Sequence, residues 1–144
     1  MPGFATLDCK GPMKDLLQQL EKLGLPREKF AVGGSGPLGI RGLRESADLD
    51  LIVTEDLWNR LSERFPVEES EDCQRIRIGK IEICAKPILN YDADALIREA
   101  DLIDGIRFVT LERTLEWKRR LAREKDLEDV VLIETYFKTA EKPV

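Results

Sequence analysis

The chain contains no histidine. That absence removes Ser-His-Asp and Cys-His nucleophilic catalysis and every histidine-ligated zinc mechanism together. Acid–base or metal chemistry here falls to carboxylates, lysines or bound water. Cysteine is scarce as well. Cys9, Cys73 and Cys84 are odd in number, widely spaced and form no Cys-x-x-Cys pair. They suggest a reduced, cytoplasmic setting without a disulfide framework or zinc site. No apolar run approaches the roughly 18 residues that cross a bilayer, and no signal peptide opens the chain, so no membrane partner is expected. A broad basic face is missing too: 23 Lys and Arg stand against 28 Asp and Glu, a net charge of −5. That balance argues against wrapping duplex nucleic acid as the main activity, while leaving room for a local basic patch.

What is present fits one domain, residues 1–144. The length suffices for one sizeable core, and the composition is 42% hydrophobic and 35% charged. No repeat, low-complexity tract or linker divides the chain. Met13, Leu16, Leu17, Leu20 and Leu23 form one apolar stripe, predicting a helix over 12–23 that starts at Pro12 and stops at Gly24 and Pro26. Phe30-Ala31-Val32 reads as a strand entering Gly33-Gly34-Ser35-Gly36, and Pro37 suits the start of a short helix ended by Gly42 and Arg44. Residues 48–53 read as a second strand. Thr54 can cap the next helix, with Leu57, Trp58 and Leu61 inward and Pro66 beyond its end.

The strongest hairpin signal is Arg75-Ile-Arg-Ile and Ile81-Glu-Ile-Cys84 around Gly79-Lys80. A helix near 93–100, a strand at 106–109 and a helical C-terminal part over 110–140 follow. Helices interleaved with strands, one pair of them a tight hairpin, predict an α+β fold, a mixed sheet with helices packed against it.

The chemistry concentrates in Gly34-Ser35, twelve residues, then Asp48-Leu49-Asp50. Side chains at i and i+2 of a strand share a face, so Asp48 and Asp50 project together while Leu49, Leu51 and Val53 turn the other way. Adjacent carboxylates repel, and a divalent cation between them removes the repulsion; magnesium takes one or two carboxylates plus substrate phosphates. Glycines at 34 and 36 admit a phosphate close to the backbone, Ser35 adds a hydroxyl, and the following helix start favours anions. Taken singly, the acids could be a solvated strand end and the glycines plain turn chemistry; together they put a phosphate cradle beside a metal site.

In this combination the sequence resembles the nucleotidyltransferase superfamily, which contains DNA polymerase beta and the small antibiotic- and toxin-type nucleotidyltransferases. The likeness rests on the strand Phe30–Val32, the Gly34-Ser35 turn, the short helix and the Asp48-Leu49-Asp50 strand, and is firm over the N-terminal two-thirds. The resemblance implies a nucleotidyltransferase-like fold with a core over 28–86. It further implies transfer of a nucleoside monophosphate from an NTP such as ATP, with Mg2+ (Mn2+ as the substitute) on Asp48 and Asp50. The family's third carboxylate matches Glu82, although a cross-strand pair with Arg77, directly opposite, explains Glu82 equally well.

Thr110 to Phe137 also resembles the abortive-infection toxin type, matching its Lys to Lys118 and its Lys-Asp-x-x-Asp to Lys125-Asp126-Leu127-Glu128-Asp129. The resemblance makes Lys118 a triphosphate ligand; the alternative is that it snorkels or pairs with an internal carboxylate. Asp126 reads as a helix N-cap with Asp129 in the first turn. Arg41 and Arg44 either meet phosphate, Arg44 foremost, or are solvated helix-end charges. The acceptor (protein, RNA end or small molecule) is not legible. A homodimer or partner protein is expected to complete its site, because the chain leaves little room for an acceptor domain.

Two other readings compete. Gly34-Ser35-Gly36-Pro37-Leu38-Gly39 matches the GxGxxG dinucleotide fingerprint literally, but wants a long helix and a parallel strand after it. Alternatively the fold is catalytically silent and binds a protein partner, as antitoxin-like relatives do.

Overall fold

In the computed structural model, residues 11–70, 73–85 and 92–141 are described; Cys9 and positions 71, 72 and 86 of the expected core lie outside them. The order is α1 (Gly11–Leu23), a 3-10 turn (Arg27–Lys29), β1 (Phe30–Gly33), α2 (Gly36–Gly39), β2 (Leu49–Val53), α3 (Glu55–Arg64), β3 (Glu68–Glu69), β4 (Gln74–Ile78) and β5 (Ile81–Cys84). Then come α4 (Ala93–Arg98), β6 (Asp101–Ile103), β7 (Ile106–Phe108), α5 (Leu111–Leu121) and α6 (Glu124–Glu141). The seven strands form one mixed sheet in the order β3-β4-β5-β2-β1-β7-β6. The fold is α+β.

β1 and β2 run antiparallel at the centre, with Gly33 opposite Asp50. β2 and β5 run parallel, and the β1–β7 pair is parallel too. The expected hairpin is present, with Ile78 opposite Ile81. Strands β3 and β6 were not anticipated. β6 belongs to a second hairpin, turned by Asp104-Gly105 with both residues at positive φ, a pair suited to a tight two-residue turn. The helix expected over 37–43 is only one turn, Gly36–Gly39, and α4 stops at Arg98.

Burial follows the pleat. Leu49, Leu51 and Val53 face one side with Phe30, Val32, Ile81, Ile83 and Phe108, and there α1 buries Met13, Leu16, Leu17 and Leu20 while α3 adds Leu57 and Leu61. Ala31, Ile52 and Val109 face the other side and meet Leu96 and Ile97 of α4, with Trp117 at the margin. A third cluster, Leu38, Leu111, Leu115 and Ile133, fastens the α5–α6 pair to α2. Side-chain caps start three helices: Thr54, Asp92 and Thr110 accept from the amides of Leu57, Ala95 and Arg113.

Leu16 is 1% exposed and lies on the helical face away from Asp50. Leu16→Ala should therefore lower the unfolding free energy by about 2–5 kcal/mol. Urea denaturation should show a lower midpoint with an unchanged slope.

Candidate functional site

The strand expected over 48–53 begins at Leu49: β2 buries Leu49, Leu51 and Val53, so alternation turns Asp50 to the opposite face, while Asp48 lies in the bend just before the strand and reaches the same cavity, both half-buried. β5 lies beside β2 in parallel register, pairing Asp50 with Glu82, so a third carboxylate joins that face. The β1 turn closes the arrangement from the other side. Gly34 has φ of 60°, and a methyl group on it would overlap the Asp50 carboxylate, so this position requires glycine both for its backbone and for its neighbour. The Asp50 carboxyl is pushed up from an ordinary 3.8 to about 6, first by burial and then by the charges of Asp48 and Glu82; Lys118 and Arg75 oppose the rise.

These groups line a cavity of about 470 Å3, walled by the Gly33-Gly34-Ser35 turn, β2, the β4–β5 hairpin, the end of α5 and the start of α6. Three carboxylates (Asp48, Asp50, Glu82) face five cations, Arg44, Arg75, Lys118, Arg123 and Lys125. Five against three leaves the lining with a formal excess of two positive charges, in a chain whose total is −5. The buried Asp126 and Asp129 behind the wall, which pair with Arg44, Lys118 and Arg123, bring the site back to formal neutrality, so the cavity arranges its cations around an acidic floor without a net positive charge.

Buried acids hold much of that charge in place. Lys118 Nζ lies 3.1 Å from Asp129 and 3.5 Å from Asp126, both with almost fully buried side chains. Arg44 Nη1 donates to both oxygens of Asp129 at 2.9 and 3.0 Å, tying the segment before β2 to α6. Arg123 Nε donates to Asp126 at 2.6 Å, and the Arg123 amide donates to the same carboxylate. Burial alone would raise the Asp126 carboxyl, but the Arg123 hydrogen bonds and the Lys118 charge outweigh it and hold it below the usual range. Lys118 therefore both lines the cavity and pairs with internal carboxylates, so its two expected readings are not exclusive. Asp126 is not the N-cap. It is the third residue of α6 and reaches back to the Arg123 amide, half of a capping box.

Other expectations change in detail. The Ser35 hydroxyl donates to Ser46 Oγ at 3.0 Å, and buried Ser46 returns a bond to the Ser35 carbonyl, so Ser35 braces the turn as well as lining the cavity. Gly36 is buried below the turn, where an added methyl would meet Val32. Arg41 is drawn away to Asp101 at 2.7 Å and to the Pro37 carbonyl. Arg77 does sit opposite Glu82 in register, yet Glu82 pairs diagonally with Arg75 at 3.2 Å while Arg77 turns to Glu68. The one-turn α2 is too short to contribute a useful dipole. The dinucleotide fingerprint also lacks its context, since the strand after it runs antiparallel to β1.

Arg75, Arg123, Lys125, Trp117 and the Cys73–Cys84 pair were not anticipated as cavity residues. Arg75 was legible, because alternation in Arg75-Ile76-Arg77 across from Glu82 fixes its face; the contributions of α5 and α6 depend on tertiary docking. Among the described residues, no three Asp, Glu or Cys side chains are grouped so as to hold a metal ion by themselves. No helix among them is long and apolar enough to cross a membrane. No protein-family model, curated protein or solved structure matches the chain.

Asp50 yields a signed pH dependence. Its folded carboxyl is raised, so between about pH 4 and 6 the folded state keeps a proton that the unfolded state has released. Stability is then lost as pH rises through that window, by about 3 kcal/mol in full. In chelator-treated protein, Asp50→Asn should be more stable than the parent by about 1–3 kcal/mol at pH 7.5, the advantage vanishing near pH 4. Thermal melts at both pH values check this; an unchanged or lower melting temperature at pH 7.5 contradicts it.

A second prediction compares two glycines of similar backbone. Gly42 has φ of 74° but open space around it, whereas Gly34 abuts Asp50. Gly42→Ala should cost about 1 kcal/mol, the backbone strain alone. Gly34→Ala should cost at least twice that in a denaturation assay; equal costs would show that Asp50 moves aside freely.

Proposed function

We propose that the protein is a metal-dependent nucleotidyltransferase of nucleotidyltransferase-like fold, moving a nucleoside monophosphate from an NTP to an acceptor hydroxyl. The observation that carries the reading is the gathering of three carboxylates at one cavity, Asp50 and Glu82 in register on the parallel strands β2 and β5 and Asp48 just before β2, with Asp50 against Gly34. Supporting it is the ring of cations around that floor, which suits a ligand of several negative charges.

The donor set fits magnesium. Asp48 and Asp50 offer hard carboxylate oxygens and would hold the ion, which generally takes one or two protein carboxylates beside substrate phosphates, so two protein ligands suffice without a closed cage of three. When bound, Mg2+ (or Mn2+) neutralises phosphate charge and lowers the pKa of a coordinated hydroxyl. The chain's own groups do the rest. Lys118, fixed by Asp126 and Asp129, and Arg44, fixed by Asp129, present preorganised positive charge to the triphosphate. Lys125 has no carboxylate partner among the described residues and is free to turn toward the phosphates. Glu82 serves as the base: it takes the acceptor hydroxyl's proton as the oxygen attacks the alpha-phosphorus in line and pyrophosphate departs. For that it must loosen from Arg75.

The same Arg75–Glu82 pair favours a second reading, a silent module that binds nucleotide and a protein partner but transfers nothing. One experiment separates them. The pure protein is incubated with each alpha-labelled NTP, Mg2+ and cell extract, beside the Asp48→Asn/Asp50→Asn double variant. Label should move to an acceptor with the parent, and transfer should fall by at least about a thousandfold with the variant while its fold persists. Equal labelling by both removes the proposal. Saturable NTP binding with no transfer under any condition selects the silent reading.

A further inference from the structure

We propose that Cys73 and Cys84 form a reversible dithiol–disulfide site on the cavity wall, with hydrogen peroxide as the oxidant. Sequence spacing gives no hint of it, but the hairpin brings the two together: Cys84 Sγ donates to Cys73 Sγ at 3.3 Å. A disulfide needs about 2.05 Å, so closure asks for a little more than 1 Å of sulfur movement. The Cys73 main chain is already anchored, since its carbonyl accepts from the Ser70 amide at 3.0 Å and from Ser70 Oγ at 3.2 Å. Most of the movement therefore falls to side-chain rotation. Both residues line the cavity, which gives a small oxidant a route to the buried Cys73 and the half-buried Cys84.

The two thiols are not equivalent, which sets the order of events. Arg75 Nη2 donates to Cys73 Sγ at 3.4 Å, so Cys73 receives hydrogen bonds from a guanidinium and from its neighbour thiol. These favour its thiolate over the opposing effect of burial, whereas Cys84 Sγ is the donor to its partner. Cys73 is accordingly the attacking sulfur and Cys84 the resolving one. In the first step the Cys73 thiolate attacks one peroxide oxygen, the O–O bond breaks, and a sulfenic acid and hydroxide form; hydroxide takes up a proton to become water. In the second step the Cys84 sulfur attacks the sulfenic sulfur, the S–O bond breaks, and the thiol proton leaves with the oxygen as water. Two thiols and one peroxide become one disulfide and two waters. The site is independent of whether the cavity transfers nucleotides.

The test treats the full-length protein with low millimolar hydrogen peroxide, titrates free thiols, and maps alkylated peptides by mass spectrometry. Of the three cysteines, two should be lost together. The peptides carrying Cys73 and Cys84 should appear linked, lighter by two hydrogens, and dithiothreitol should restore all three thiols. In Cys84→Ser, dimedone should trap a sulfenic acid on Cys73; in Cys73→Ser, Cys84 should stay unmodified at the same dose. The linkage map on the parent needs no variant, so a variant that folds poorly leaves the test intact. A bridge involving Cys9, sulfinic acid without a bridge, or retention of all three thiols would each overturn the proposal.

Discussion

The rest of this structure is arranged around a repulsion. Parallel pairing of β2 with β5 sets Asp50 beside Glu82, with Asp48 at the same cavity just before β2, and burial denies Asp50 the water that would otherwise screen it. A sheet bears such a cluster only if charge of the other sign is built around it. The α5–α6 pair supplies it: Lys118 and Arg123 are positioned by Asp126, and Lys118 and Arg44 by Asp129. The result is a layered electrostatic site, with buried acids holding cations that in turn face the half-buried Asp48, Asp50 and Glu82.

That layering links packing to function. The helical pair is seated by Leu38, Leu111, Leu115 and Ile133, an apolar contact some way from the chemistry, yet the position of Lys118 depends on it. A buried pair such as Lys118–Asp129 adds little net stability, because desolvation offsets the attraction. Its physical return is orientation: it fixes a lysine at the rim of the cavity, where a free side chain would sample many rotamers. The raised Asp50 carboxyl is a similar exchange: burial and the charges of Asp48 and Glu82 cost the fold stability, a cost that the proposed cation would offset.

Much of this was readable from the sequence where the period is short. The alternation expected over 48–53 holds from Leu49 to Val53 and turns Asp50 away from Leu49 and Leu51, with Asp48 in the bend before it, and the Gly79-Lys80 hairpin sets the register of Glu82, both local regularities. The Asp104-Gly105 hairpin was equally readable: its second strand was expected at 106–109, but the first, Asp101–Ile103, is only three residues long and was missed. What local pattern could not supply was depth and diagonal reach. It did not distinguish Arg75 from Arg77 as the partner of Glu82, nor show that Asp126 and Asp129 turn inward to meet Lys118, nor bring Cys73 to Cys84. Those depend on how the sheet twists and how α6 docks, which no short window contains.

The central claim is that the acidic floor holds a divalent cation, and proton release tests it most directly. Because Asp50 ionises near pH 6, Mn2+ binding to weakly buffered protein at pH 6 should expel about half a proton per ion, falling toward none at pH 8. The release should track saturable uptake seen by electron paramagnetic resonance. Absence of saturable uptake, or uptake with no proton release at pH 6, would contradict the account.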